Sequence, residues 1–218
     1  MSRKLAVLAA VAGLALSSCG EKVDYSGMSA KTMFEKAESM AAGSRDFSKK
    51  NAIEMLKELQ LRHPFSPYAP TASLKTADIN FSRGRFRGAS EQYSKFLADN
   101  PNHDRREYAL WRLSKSFYNL KNSPDRDQDP CRKTIYWSQA LLSYHPETQY
   151  AEEAAEQIRG CAAVLAQSEL KIGEFYLKRG HTEAARRRFS HLAENFPGTE
   201  EAKQAAEMLS DLPPPPEQ

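Results

Sequence analysis

An all-α fold, a solenoid of repeated helix pairs, is what the sequence predicts, and three features carry that prediction. Apolar residues return at intervals of three and four, as in Met33, Ala37 and Met40 or Ile53, Leu56 and Leu59, and no segment supports the two-residue alternation of a half-buried strand. Four prolines, Pro64, Pro101, Pro146 and Pro197, each follow a stretch in which similar residue types stand at fixed offsets. Alanine then recurs eight positions after every one of them, at Ala72, Ala109, Ala154 and Ala205.

The chain opens with a segment outside this fold. Arg3 and Lys4 precede an apolar run from Leu5 to Leu16, far short of the ~20 residues that span a bilayer, so residues 1–18 read as a signal peptide. The run ends in Leu16-Ser17-Ser18-Cys19, a lipobox pattern, in which the cysteine thiol receives diacylglycerol, the leader is cut away and the new amino terminus is acylated. Cys19 is therefore the expected lipidation site. Several acyl chains, at ~0.8 kcal/mol per buried methylene, hold a protein on a membrane where a single chain is marginal. Gly20 stands where an aspartate usually signals inner-membrane retention, which points to the outer membrane. Residues 19–28 are the expected lipidated, flexible tether.

An N-terminal repeat group follows over residues 29–147. The trios Ala52-Leu56-Leu59 and Ala89-Tyr93-Phe96, and later Ala185-Phe189-Leu192, lie 12, 8 and 5 positions before their prolines. The small alanine lets two helix backbones approach, the larger residues fill the space between them, and proline ends the helix. Gly84 and Gly180 each fall 17 positions before a proline, where the first helix of a pair must stop and turn, and Gly173 and Tyr176 complete the last first helix. Ser66, Thr148 and Thr199, two after a proline, are expected helix N-caps. The third repeat is degenerate, with Thr134, Ser138 and Leu141 in the trio positions.

Proline spacings of 37, 45 and 51 exceed the ~34 of a strict tetratricopeptide repeat, so residues must be inserted. The 45 contains a polar loop, Lys121 to Pro130. The 51 contains an unbroken helix from about Gln149 to Lys178, roughly 45 Å long at ~1.5 Å per residue. Residues 148–212 thus form this long helix and a C-terminal repeat group, closed by a capping helix from Thr199 to Ser210. Residues 213–218, with four consecutive prolines, are an extended tail. The architecture is about four helix pairs plus the terminal helix.

Charge gives no sign of a polyanionic ligand. The chain has 31 basic and 28 acidic residues, and removing Arg3 and Lys4 with the leader leaves 29 against 28. Nucleic acid is not an expected partner. No catalytic motif is present, no metal site is expected, and apart from the lipid on Cys19 no cofactor is implied. Asp125, Asp127 and Asp129 open a calcium-loop pattern, but Pro130 and Tyr136 stand where the loop needs glycine and glutamate. A solvated loop fits better, with Arg126 and Arg132 able to pair with the acids. The five histidines lack metal-ligand spacing and read as surface residues.

Three further constellations are open to two readings each. Cys131 and Cys161 both lie about 15 residues from the turn at Pro146. They stand level if the flanking helices pack antiparallel, either as a disulfide or as two independent buried thiols. Phe65 and Tyr68, set among Pro64, Pro67 and Pro70, either grip a ligand on a stiffened connection or plug the joint between helices. Arg186-Arg187-Arg188 is either a solvated face or a contact for an acidic protein surface.

The sequence resembles the BamD family of outer-membrane assembly lipoproteins. The resemblance runs in order through the lipobox, Arg62-His63-Pro64-Phe65-Ser66-Pro67-Tyr68, Asp125-Arg126-Asp127-Gln128-Asp129 and Tyr144-His145-Pro146-Glu147-Thr148-Gln149-Tyr150. It continues in Glu174-Phe175-Tyr176-Leu177-Lys178-Arg179-Gly180 and Asn195-Phe196-Pro197-Gly198-Thr199. It implies a non-enzymatic periplasmic scaffold, lipid-anchored to the outer membrane. Its N-terminal repeats would receive unfolded outer-membrane protein substrates near Phe65 and Tyr68. Its C-terminal repeats would contact a POTRA domain of a BamA-like barrel protein near Arg188, and other lipoproteins of the same complex are further partners. The alternative is a repeat lipoprotein that organises peptidoglycan or polysaccharide export.

Overall fold

In the computed structural model, which describes residues 24–214, every regular element is helical. In chain order these are α1 (Ala30–Ala42), α2 (Asp46–Arg62), α3 (Tyr68–Ser82), α4 (Phe86–Asp99), α5 (Arg106–Tyr118), α6 (Asp129–Tyr144), α7 (Ala151–Lys178), α8 (Thr182–Asn195) and α9 (Glu200–Asp211). The leader, the first half of the tether including Cys19 (residues 19–23) and residues 215–218 of the tail lie outside the described residues. Each helix packs on its neighbour in sequence, and α1 also touches α3, α5 touches α7 and α7 touches α9. That pattern of nearest and next-nearest contacts is a tetratricopeptide-like stack of four pairs closed by one helix.

The prolines impose one backbone geometry four times. A residue before proline is pushed out of the helical region, and His63, Asn100, His145 and Phe196 have φ, ψ of −130°, 55°; −133°, 64°; −134°, 73°; and −127°, 46°. Each donates its N–H to the carbonyl four residues back, on Leu59, Phe96, Leu141 and Leu192, which are the fully buried last members of the trios. The other end of the hairpin repeats as well. Gly84 and Gly180 take left-handed φ values of 69° and 76°, and the next N–H reaches back to Asn80 and Tyr176, both at 2.9 Å. Only a residue without Cβ adopts that turn at little cost.

Burial follows the sequence offsets closely. All three trios of the regular repeats and all four post-proline alanines are fully buried. Gly173 of α7 lies against the ring of Phe189 in α8, so close that a Cβ there would sit 2.3 Å from a ring carbon. The third repeat obeys the same geometry with different chemistry. Thr134 and Ser138 are fully buried, and the room left by a small Ser138 is used by Gln157 of α7. The Gln157 Oε1 accepts from Ser114 at 3.1 Å and from Ser138 at 3.4 Å. A hydrogen-bonded polar cluster replaces an apolar plug, which is tolerable because its members find partners.

Two expected N-caps are shifted. Thr199 caps α9 as predicted, its Oγ1 accepting from Ala202 N–H at 3.2 Å. Ser66 and Thr148 instead accept from the N–H two residues on, at Tyr68 and Tyr150, because a further turn intervenes before α3 and α7 begin. Thr148 also donates to Glu107 at 2.5 Å, tying this turn to α5.

Helix α7 is the connecting beam. Its 28 residues are twice the 14 of α8 and well beyond the 16 of α6, so its first part lies along α6 and its later part along α8 and α9. One cluster of buried residues spans α1 to α3, a second runs from α3 to α7, and a third, around Phe189, joins α7, α8 and α9.

Candidate functional site

The two aromatic residues of the proline-rich turn part company. Phe65 is 100% exposed, and Leu61 one turn earlier is 75% exposed, so an apolar knob stands beyond the end of α2. Tyr68 turns inward, its ring centroid 5.5 Å from that of Phe34 at the edge of the first cluster. The two rings thus differ in burial: Phe65 stands in solvent, and Tyr68 plugs the joint between helices. His63 is half-buried rather than a surface residue, its Nε2 3.0 Å from the Met28 carbonyl.

At the other end the arginine run fans out. Arg188 donates to Glu169 of α7 at 3.0 Å while keeping 43% of its side chain exposed. Arg186 turns to Glu183 and to the Pro213 carbonyl, and Arg187 stays exposed. Arg187 and Arg188 line a hollow of about 780 Å³ with Tyr176 and the first turn of α8. Arg188 also borders a second hollow of about 380 Å³ with Arg126, Arg132 and Ile172. A third, of about 390 Å³, shares Arg126 and Ile172 with the second and Tyr176 with the first, and adds Phe175 and Lys171. The three form one continuous groove whose floor is the later part of α7.

The polar insert forms one wall of this groove. Gln128 is only 5% exposed, and its Nε2 donates to the Ser123 and Arg126 carbonyls at 2.8 Å each, folding the loop back on itself against α7. The expected ion pairs of Arg126 and Arg132 with the three aspartates do not form. Asp129 pairs with Lys133 at 2.8 Å, and Asp127 accepts from the Asp129 N–H at 3.0 Å. Both arginines are left facing the groove. Among the described residues no group of three or more His, Cys, Asp or Glu is placed to hold a metal ion.

Cys131 of α6 and Cys161 of α7 are both fully buried, belong to one small cluster with Leu165, and are free thiols in the structure. The neighbouring Cys161 thiol, followed by burial, pushes the Cys131 thiol well above the ordinary range.

A polar aromatic wall across α3, α4, α5 and α7 escaped the sequence reading. Asp78 accepts from the hydroxyls of Tyr93 at 2.5 Å and Tyr108 at 2.8 Å, and Arg112 lies 3.7 Å over the Phe81 ring. Burial, reinforced by the Asp78 charge, pushes both tyrosine hydroxyls well above their usual range, so both remain protonated donors. Trp111 stacks on Tyr150 at 4.2 Å and donates to Glu153 at 2.8 Å, while Lys115 lies 2.6 Å from the same carboxylate. These contacts fix α3, α5 and the start of α7 in register.

Comparison with known proteins gives this geometry a family. The sequence profile of the YfiO family, described as an outer membrane lipoprotein, matches residues 26–211, nearly all of the described chain. The chain belongs to the YfiO family. Its relatives include "Outer membrane protein assembly factor BamD" of Caulobacter vibrioides, 25% identical over 71% of this chain and 50% of that protein. The protein of the same name from Vibrio cholerae is 26% identical over 72% of this chain and 69% of its own length. The matched region thus spans half the length of the first and about two thirds of the second. Among solved structures, a tetratricopeptide repeat protein from Parabacteroides merdae aligns over 83% of this chain and 73% of its own, with 15% identity and a TM-score of 0.45. No helix among the described residues of this YfiO-family chain is long and apolar enough to cross a membrane.

Proposed function

We propose that this YfiO-family chain is a lipid-anchored periplasmic scaffold of outer-membrane β-barrel assembly, held to the outer membrane through diacylglycerol and an N-acyl chain on Cys19. The observation that carries the reading is the family match over residues 26–211, with relatives named as outer membrane protein assembly factors. In this reading the protein works by binding, for which a stack of helices with exposed knobs and shallow grooves is suited, and requires no activated nucleophile.

Two surfaces divide the work. The knob of Phe65, on a connection stiffened by Pro64 and Pro67, contacts apolar segments of unfolded barrel substrates with little loss of loop entropy. Tyr68, committed to Phe34, supports the knob from below. The groove around Arg188 receives the POTRA region of a BamA-like barrel protein, presenting Arg126, Arg132 and Arg187 to acidic groups and Phe175 to an apolar one. Other lipoproteins of the same assembly are further partners.

Affinity purification from detergent-solubilised membranes tests the reading, with recovery of a BamA-like barrel protein expected. Arg188→Glu should lower that recovery about tenfold or more, since truncating a hydrogen-bonded interface charge typically costs ~2 kcal/mol upward. Glu169→Gln, which breaks the same internal ion pair but keeps the guanidinium, should leave recovery near the parent level. Equal recovery with Arg188→Glu and the parent would remove Arg188 from the contact. Failure to recover any barrel protein with the unmodified chain would overturn the function itself.

A further inference from the structure

We propose that Cys131 and Cys161 form an intramolecular disulfide that clamps the long helix α7 to α6 at the joint between the two repeat groups. The two residues stand 15 positions before and 15 positions after Pro146, so the antiparallel packing of α6 on α7 sets them at one height. At the corresponding positions around the other prolines stand Lys49 and Ile79, Phe86 and Ser116, and Thr182 and Leu212; only this joint carries a matched pair of cysteines. Facing direction matches as well as height. Both side chains are fully buried and turn into the same small cluster, with Leu165, between α6 and α7.

The position within the fold gives the bond a purpose. Cys131 lies in the first turn of α6, and Cys161 is the eleventh of the 28 residues of α7. Beyond it α7 leaves α6 behind, and its remaining turns pack on α8 and α9. A crosslink there fixes the direction in which α7 departs, and so the C-terminal groove relative to the N-terminal repeats. It also anchors the base of the insert, since α6 begins directly after Gln128.

The chemistry is thiol–disulfide exchange. A disulfide-bearing oxidant, either a periplasmic oxidoreductase or oxidised glutathione, is attacked by one cysteine thiolate, giving a mixed disulfide. The second cysteine displaces the oxidant's sulfur. One S–S bond forms in this chain as one breaks in the oxidant, which takes up two electrons and leaves as two thiols, while the two cysteine protons pass to those thiols or to water. Because the folded site is closed to solvent, the exchange takes place before α6 and α7 finally pack.

The bond goes beyond the assembly role and can be tested apart from it. Purified full chain, reduced and unfolded, is refolded with oxidised glutathione, then denatured and treated with an alkylating reagent before mass spectrometry. The expected result is a chain lacking two hydrogens, unlabelled at Cys131 and Cys161, with a 131–161 linked peptide that disappears on reduction. Chain isolated from membranes with its thiols trapped at lysis should behave in the same way. Reductant should lower the melting temperature on the order of 10 °C, as expected for opening a loop of about 30 residues, and should not shift a Cys131→Ala/Cys161→Ala double variant. Labelling of both thiols, or glutathione on each cysteine separately, in the refolded sample would overturn the proposal.

Discussion

Replacing Gly173 by alanine sets two well-measured effects against each other, and the structure says which wins. In a helix interior, glycine to alanine is ordinarily stabilising by about 0.5–1 kcal/mol, because the unfolded chain loses freedom. At Gly173 a new Cβ would lie 2.3, 2.7 and 3.0 Å from three ring atoms of Phe189, which is fully buried and cannot swing away as a flexible side chain would. Overpacking of a closed core costs typically ~1–3 kcal/mol, so the expected net loss is about 0.5–2 kcal/mol. For a chain of this size that is a fall in melting temperature of roughly 1–8 °C. Urea and thermal unfolding followed by circular dichroism measure it directly. Gly88 in α4 supplies the control, since nothing lies within 4 Å of its added Cβ, and Gly88→Ala should be neutral or stabilising. Phe189→Leu combined with Gly173→Ala should show favourable coupling of ~0.5 kcal/mol or more, because the smaller side chain vacates the clash. If Gly173→Ala proved as stable as the parent, the close approach of α7 and α8 that defines the last repeat would be wrong.

Two other predictions concern a charge and a knob. At Glu153 burial, which raises a carboxyl pKa, is outweighed by the bonds from Lys115 and Trp111, so the group is held below its ordinary range. A depressed carboxylate contributes stability that is full above the unfolded value of about 4.3 and is lost as pH falls through the lower folded value. Glu153→Gln should therefore cost about 1 kcal/mol at neutral pH, allowing for its partial exposure, and the gap to the parent should close as pH falls below the unfolded value and through the lower folded one; a gap unchanged by pH would show that charge is not the source. Phe65→Ala should leave stability within ~0.5 kcal/mol, since the ring touches nothing it would be missed by, yet weaken binding of a fluorescently labelled unfolded barrel segment by roughly 10- to 100-fold, the worth of burying one aromatic ring. Unaltered affinity would put the substrate surface elsewhere.

The helical frame was legible because its punctuation is local. A proline ends a helix by its own covalent structure, and a glycine 17 residues earlier is required by the sign of φ, so both marks survive in one sequence without any knowledge of what they pack against. The trios were readable for a related reason, since a closed helix pair admits only certain sizes at each offset. What escaped depends on contacts between distant segments. Gln128 is polar and sits in a polar loop, and only the folded chain shows that it is buried and builds the wall opposite Arg188. Asp78, Tyr93 and Tyr108 are separated by 15 residues in each step, and nothing in their local patterns announces that one carboxylate serves two hydroxyls. Arg126 and Arg132 lie beside the aspartates in sequence and are able to pair with them, yet in the fold Lys133 reaches Asp129 and a backbone N–H reaches Asp127.

The degenerate third repeat explains why one helix had to become so long. Its trio keeps the buried positions but fills them with Thr134 and Ser138, too small to form a self-sufficient apolar layer, so α6 relies on α7 for partners: Gln157 for Ser138, and Cys161 for Cys131. A helix of ordinary length would reach Cys161 and stop, leaving α8 and α9 to attach through a second flexible turn. Continuing α7 through Gly173 to Lys178 instead makes the degenerate repeat and the α7–α8 junction share one helix. The groove beside Arg188 and the knob at Phe65 then belong to one continuous stack of packed helices.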